Sequence, residues 1–404
     1  MLENGLLQIN GEHLGNLQPV DVEYSHIDEV ASELGETVFG QEEAMQSVAR
    51  ILARSESAMR PPNRPMGSIL LLGLTGVGKT ETANAVSKYL HNDDPDKSSW
   101  KRHLFKVDCS KLSERHMVSE LIGAPPGYVG YGDDLILDYK GIANGSENVI
   151  VWDEIEKANP AIWKLLLPML DEARLQVRMR VGKSIDSFEI PFNNTFNVFT
   201  SNIGTGAMTS EVKSGGPIGF TRPSHEGQAA RLKELAMGEL HSTFQYLPEF
   251  PARMDDIIVY KPLERKHYFQ ILDKFNNALG EQNMTLQMPF PVLTDEAREH
   301  LVDVATKDKR FGAREIRNVF NTDIVSKLSD LIISNAEAAN SSYVIIHWNG
   351  TKYQPYIVPD QLPRIPKTQI KEQLEEQGFL DTTPLSRDEP EDLDKNSLPN
   401  KEHH

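Results

Sequence analysis

Two hydrophobic rhythms alternate along the chain. From Asp28, the apolar residues Val30, Leu34 and Val38 recur at helical spacing and lead into Phe39-Gly40-Gln41. A helix with Ala44, Val48, Ile51 and Leu52 on one face follows, and Pro61-Pro62 ends it. Ser68-Ile-Leu-Leu-Leu72 is then a continuous apolar run bounded by turn residues, as expected for a strand buried on both faces. Leu104–Val107, Val149–Trp152 and Phe196–Phe199 repeat that pattern, with helical stretches between several of them. Strands alternating with helices predict an α/β fold, a parallel sheet covered by helices.

Beyond Pro262 the rhythm changes. Two or three amphipathic helices are predicted within 264–335, one of them N-capped by Thr294. Tyr343–Trp348 and Lys352–Val358 flank Asn349-Gly350, a strong hairpin signal. The chain therefore divides into a flexible lead-in (1–27), a large α/β domain (28–262), a smaller helical domain with a β-hairpin (263–359) and an acidic, mostly disordered tail (360–404).

Composition narrows the partners. The net charge is −17 with no long basic run, which argues against nucleic acid or an anionic membrane as the main partner. Cys109 is the single cysteine, so an internal disulfide framework is excluded and a reducing, cytoplasmic setting is expected. No apolar run approaches the roughly 20 residues that a membrane span needs.

Candidate chemistry starts where the first buried strand ends. Residues Gly73-Leu-Thr75-Gly76-Val77-Gly78-Lys79-Thr80 match Gly-x4-Gly-Lys-Thr, a match a random chain of this length would make roughly one time in a hundred. Glycines let backbone N–H groups curl around phosphates, and the helix that follows, from Glu81, points its positive end at them. Lys79 is expected on the β- and γ-phosphates of ATP and Thr80 on Mg²⁺. A second apolar strand ends in Asp153-Glu154, with Asp153 expected to hold Mg²⁺ and Glu154 to polarise the attacking water.

Several longer strings add to these motifs. They are Gly40-Gln-Glu-Glu-Ala44, Pro62-Asn-Arg-Pro-Met-Gly-Ser68, Leu121-Ile-Gly-Ala-Pro-Pro-Gly-Tyr-Val-Gly130, Asp153-Glu-Ile-Glu-Lys-Ala158, Thr200-Ser-Asn-Ile-Gly204, Pro248-Glu-Phe250 and Gly312-Ala-Arg314. With them, the stretch from about Val38 to Val358 resembles the AAA+ ATPases of the Clp family, and in particular the second ATPase module of ClpB- and ClpC-type unfoldases. The resemblance implies ATP hydrolysis in a homo-hexameric ring that threads unfolded or misfolded polypeptide through its pore.

It also implies residue roles. Asn202 would orient water near the γ-phosphate, Arg253 would be the finger that reaches a neighbouring subunit's site, and Arg314 would sense the γ-phosphate. Val38 and Phe39 would pack on the adenine. Tyr128 and Val129 would form the pore loop that grips substrate, and Ile218-Gly219-Phe220 would dock on a ClpP-type peptidase.

The chain departs from the family pattern in several places, among them Phe244–Pro248, which is longer by two residues than expected. Tyr131-Gly-Asp-Asp-Leu-Ile-Leu137 lacks paired glycines. The stretch 176–193 is longer than expected and locally basic at Arg178, Arg180 and Lys183, as a second pore loop or an unrelated hairpin. Ala252 stands where the family has asparagine. Two other readings stay open: a slow AAA+ ATPase acting as a nucleotide-dependent assembly scaffold, and a nucleic-acid-directed AAA+ motor.

Overall fold

The computed structural model describes residues 2–3, 6–7, 25–57, 59–128, 131–181, 184–205, 225–286, 288–307, 311–335, 338, 341 and 343–358. The lead-in holds a two-residue antiparallel pair, Leu2–Glu3 (β1) with Leu6–Leu7 (β2). The first helix, α1 (Ser25–Gly35), starts earlier than the expected lead-in boundary at 27 and buries Val30 and Leu34. It packs on α2 (Glu42–Glu56), whose buried stripe includes Ala44, Val48, Ile51 and Leu52.

The central sheet has five parallel strands in the order β4-β5-β8-β3-β9. They are β3 (Gly67–Leu72), β4 (Leu104–Asp108), β5 (Asn148–Asp153), β8 (Thr195–Ser201) and β9 (Asp256–Val259). Every residue of β3 and β8 is buried, so continuous apolar runs, rather than alternation, mark these strands. β3 lies between β8 and β9, with Leu70 opposite both Phe199 and Ile257. The chain leaving β3 reaches β4 on the far side of β5 and β8, which puts a topological switch point at the carboxyl end of β3, where α/β sheets hold ligands. The hydrophobic pattern does not announce β9, because its four residues, Asp-Ile-Ile-Val, are too few to establish a period.

The lengthened, basic stretch is an antiparallel hairpin, β6 (Arg174–Val181) with β7 (Ser184–Pro191), paired in register from Arg174↔Pro191 to Val181↔Ser184. It packs against the segment that carries the aromatic loop. A Cβ on Gly123 would lie 2.1 Å from the Arg178 carbonyl oxygen, and one on Gly132 would lie 2.6 Å from an Arg180 guanidinium nitrogen. The segment without paired glycines therefore rests on this hairpin.

A second core gathers Leu263, Tyr268, Leu272, Leu301, Ile316, Phe320, Val344 and Tyr353. Its helices are α6 (Arg265–Thr285), α7 (Asp295–Thr306), α8 (Ala313–Phe320) and α9 (Ser326–Ser334), with α4 (Pro160–Glu172) and α5 (His225–Thr243) belonging to the earlier part of the chain. Thr294 caps α7 by accepting the Ala297 N–H. The hairpin β11 (Tyr343–Trp348) with β12 (Tyr353–Ile357) closes through Asn349, whose side chain accepts the Lys352 N–H at 3.0 Å. A third strand, β10 (Phe290–Leu293), runs parallel to β11. No helix among the described residues is long and apolar enough to cross a membrane.

Leu70 is fully buried on an interior strand of the sheet. Leu70→Ala is expected to cost about 3 kcal/mol of unfolding free energy, measured by urea titration at constant slope. A loss below about 1 kcal/mol would contradict the packing described here.

Candidate functional site

The loop after β3 turns through glycines at positive φ: Gly73 at 143°, Gly76 at 76° and Gly78 at 110°. Gly78 is the residue before α3 (Lys79–Leu90), so its left-handed backbone aims the first turn of that helix, with Lys79 and Thr80, back at the loop. Gly76 is needed for a second reason. A Cβ there would sit 2.2 Å from the Phe311 carbonyl oxygen, and the Gly76 carbonyl accepts the Ala313 N–H at 2.8 Å. The start of α8 is thereby seated on the phosphate-type loop.

Lys79 is 8% exposed, and its ammonium donates to the carbonyls of Gly73 (2.6 Å) and Leu74 (2.9 Å) and to Oδ1 of Asn202 (3.0 Å). Those three acceptors match the three donors of an ammonium group. Burial lowers its pKa to about 8, against the opposing pull of Glu156, Asp153 and Glu154; Arg314 adds to the lowering. Arg314, in the first turn of α8 and itself exposed, is therefore brought within electrostatic reach of Lys79.

The carboxyl end of β5 supplies the acids. Burial works to raise the Asp153 pKa, but hydrogen bonds from the Thr200 hydroxyl and Lys106 outweigh it and leave it below the usual carboxylate range. The Lys106 ammonium is 2.9 Å from Asp153. Glu154 has φ 58° and ψ 49°, a left-handed conformation that costs a non-glycine residue on the order of 1 kcal/mol. Its N–H donates to Thr200 Oγ1 at 3.1 Å, its Oε1 accepts from Asn202 Nδ2 at 2.9 Å, and its Oε2 accepts from Lys157 at 2.6 Å. One amide side chain, Asn202, thus bridges Lys79 and Glu154.

Sequence reasoning gave no role to Glu156. Its Oε1 accepts the Asn202 N–H at 3.0 Å, while its Oε2 is buried without a hydrogen-bond partner. The quoted string Asp153–Ala158 contained this residue, but acidity alone does not separate it from its neighbours.

Other predicted positions distribute as follows. Val38 is buried and lies 3.3 Å from the place a Gly78 Cβ would take, whereas Phe39 packs on the second core with Lys274 above its ring. Gln41 fixes that segment by donating to the Lys261 carbonyl (2.9 Å) and accepting the Lys261 N–H (3.0 Å). The Glu81 side chain is taken by Lys274 at 2.6 Å. Arg253 is not in this cluster: its Nε donates to Asp171 at 2.9 Å. Tyr128 is 70% exposed on its loop. Val129 and Ile218-Gly219-Phe220 lie outside the described residues.

The donor set fits a bound nucleotide: a buried cation, a loop of glycine N–H groups, and a helix start. It also fits Mg²⁺, which takes one or two carboxylates together with phosphate oxygens, and Asp153 is held ionised beside Thr200. These features define a phosphate-binding-loop nucleotide site of the AAA+ kind. Residues 64–257 match the family model described as AAA domain (Cdc48 subfamily), and 263–345 match the C-terminal, D2-small domain of ClpB protein. The chain belongs to the Clp family of AAA+ ATPases.

Among its relatives are a chaperone protein ClpB of Bacillus cereus, 35% identical over 77% of this chain and 33% of its own length, and the ClpC/MecB negative regulator of genetic competence of Bacillus subtilis, 34% identical over 73% and 34%. A third is the ATP-binding subunit ClpC of the ATP-dependent Clp protease of Staphylococcus aureus, 32% identical over 81% and 37%. The chain spans about a third of the length of these relatives. A solved structure of Hsp104 with ATPγS and FITC casein in its closed state superposes with a TM-score of 0.66 at 29% identity, covering 83% of this chain and 52% of that one.

Because Lys79 titrates at about 8 and phosphates attract its charged form, nucleotide affinity is expected to be flat below that pH and to weaken toward tenfold per unit above it. Calorimetric titration with ADP from pH 6.5 to 9.5 measures this, with Lys79→Ala as control. An affinity independent of pH up to 9.5 would contradict the role given to this lysine.

Proposed function

We propose that the chain binds ATP with Mg²⁺ at the Lys79 loop, hydrolyses it to ADP and phosphate, and works as a hexameric ring that pulls polypeptide past Tyr128. The observation that carries the hydrolytic reading is the Asn202 bridge, one side chain contacting both the lysine on the phosphate loop and the carboxylate suited to activating water.

In this reading Lys79 would exchange its bonds to the Gly73 and Leu74 carbonyls for phosphate oxygens, and Thr80 and Asp153 would hold the metal. A Mg²⁺ ion held there would supply Lewis-acid neutralisation of phosphate charge. Glu154, fixed by its strained backbone and by the Thr200 hydroxyl, accepts a proton from the attacking water. Asn202, donating to the Glu154 carboxylate, orients that base. Arg314, carried on α8, feels the γ-phosphate and transmits its loss through the Gly76–Ala313 hydrogen bond. Val38 and Phe39 flank the adenine.

Threading is supported by the exposure of Tyr128 on a glycine-flanked loop that rests on the β6–β7 hairpin, and by likeness to a chaperone ClpB and to Hsp104 captured with casein. Action of Arg253 on a neighbouring subunit belongs to the same proposal, supported by its pairing with Asp171 instead of the Lys79 cluster. So do the division near residue 262, supported by the two separate cores, and a cytoplasmic location. Docking on a ClpP-type peptidase through Ile218-Gly219-Phe220 is the outermost part, supported by likeness to the ATP-binding subunit of a Clp protease.

Glu154→Gln is expected to lower the ATPase kcat by about 10²-fold or more with nucleotide binding retained. Tyr128→Ala is expected to leave ATP turnover near wild type while unfolding of a tagged fluorescent substrate protein is lost. Normal substrate unfolding by Tyr128→Ala would refute threading, and unchanged turnover in Glu154→Gln would refute the assignment of the base.

A further inference from the structure

The string Pro62-Asn-Arg64-Pro-Met-Gly-Ser68 has no part in the nucleotide site, yet it forms one wall of a cavity of about 160 Å³ that Arg253 also lines. That is ample room for several waters or for one tetrahedral anion. Arg54, Arg60, Arg64 and Arg253 surround it, with Pro61, Pro65 and Leu170 as apolar walls.

The counter-charges are few. Asp255 pairs with Arg54 and accepts the Ser68 N–H at 2.8 Å, so its carboxylate is spent. Asp171 is held by Arg253 Nε at 2.8 Å, and Arg64 Nη2 reaches the same Oδ1 at 3.8 Å. Arg60 donates to the backbone carbonyls of Arg64 and Asn193. Four guanidinium groups against two carboxylates leave this cavity cationic in a chain whose net charge is −17. Two arginines converging on one carboxylate oxygen is also the arrangement a phosphate oxygen would accept.

We propose that Arg64 and Arg253 form a paired clamp for a terminal phosphate, with Asp171 as the internal carboxylate that holds both arginines until the phosphate arrives. This rests on the proposal that Arg253 acts on the nucleotide of a neighbouring subunit. It adds a second guanidinium, supplied by the segment that leads into β3. In the clamp, charge building on the γ-phosphoryl oxygens is shared between two fixed forks. The clamp takes up no atom or electron: the bond from water oxygen to the γ-phosphorus forms as the bond to the bridging oxygen of ADP breaks. Asp171 returns to its arginines when inorganic phosphate leaves. Because Arg64 lies a few residues before the strand that carries the chain's own phosphate loop, each subunit's site is mechanically joined to the clamp it offers its neighbour.

The test is steady-state ATPase of the full chain, alone and in mixtures. Arg64→Ala is expected to lower kcat by about 10²-fold while KM for ATP stays within about twofold. Mixing it with Glu154→Gln, which keeps an intact clamp, is expected to restore turnover that neither variant has alone. Arg253→Ala in the same mixture is the control. If its activity is restored and that of Arg64→Ala is not, the paired clamp is overturned while the role of Arg253 in trans stands. If neither is restored, the trans reading itself fails. Should Arg64→Ala not assemble by light scattering, Arg64→Lys carries the test. It keeps the charge but loses the fork, and kcat is expected to fall about tenfold in an intact ring. Full activity in Arg64→Lys or Arg64→Ala overturns the proposal.

Discussion

A single buried ammonium group organises this molecule. Lys79 is almost wholly withdrawn from water, and burying an unpaired charge there would be prohibitive. Its three donors are therefore matched by two loop carbonyls and the Asn202 amide, and three carboxylates stand close enough to hold it charged. The loop must curl to present those carbonyls, which is why its glycines take positive φ. β5 and β8 must end side by side, because Asp153, Glu154 and Asn202 come from their adjacent carboxyl ends. The parallel, fully buried sheet is what brings residues so distant in sequence into one hydrogen-bonded cluster.

The second core is joined to that cluster at several points. Ala313 hydrogen-bonds to the Gly76 carbonyl, Lys274 on α6 reaches both the Thr37 carbonyl and Glu81, and Gly40 lies against the His267 ring. The phosphate-type loop and the start of α3 are therefore in direct contact with the helices α8 and α6. The hairpin β6–β7 packs closely under the segment that carries Tyr128.

Much of this was legible in the sequence, for reasons of range. The phosphate loop is encoded within eight consecutive residues and flanked by a strand whose apolar run has no competing reading. The end of β5 is readable only in company: a strand ending in two acids is a weak signal alone, and gains weight from following the phosphate loop. What escaped depends on contacts between residues far apart. Asp171 gives no sign in its helix that it will meet Arg253, and Lys274 is separated from Glu81 by a whole sheet. Glu156 was hidden by proximity to two better-known acids, although its hydrogen bond to the Asn202 N–H fixes the amide that links lysine and base. β9 and β10 were missed because four-residue strands carry too few positions to establish a period. The basic stretch after Leu175 is a hairpin in full register, a shape that a second pore loop and an unrelated hairpin would share.

The central claim is that Asn202 couples the phosphate-binding lysine to the water-activating carboxylate, so that it serves turnover more than binding. Comparison of Asn202→Ala with wild type by ATP titration and by single-turnover hydrolysis tests it most directly. The account predicts nucleotide affinity within about threefold of wild type and a hydrolysis rate lower by about 10²-fold. A variant that loses affinity and rate in equal proportion, or one that hydrolyses at the wild-type rate, would contradict it.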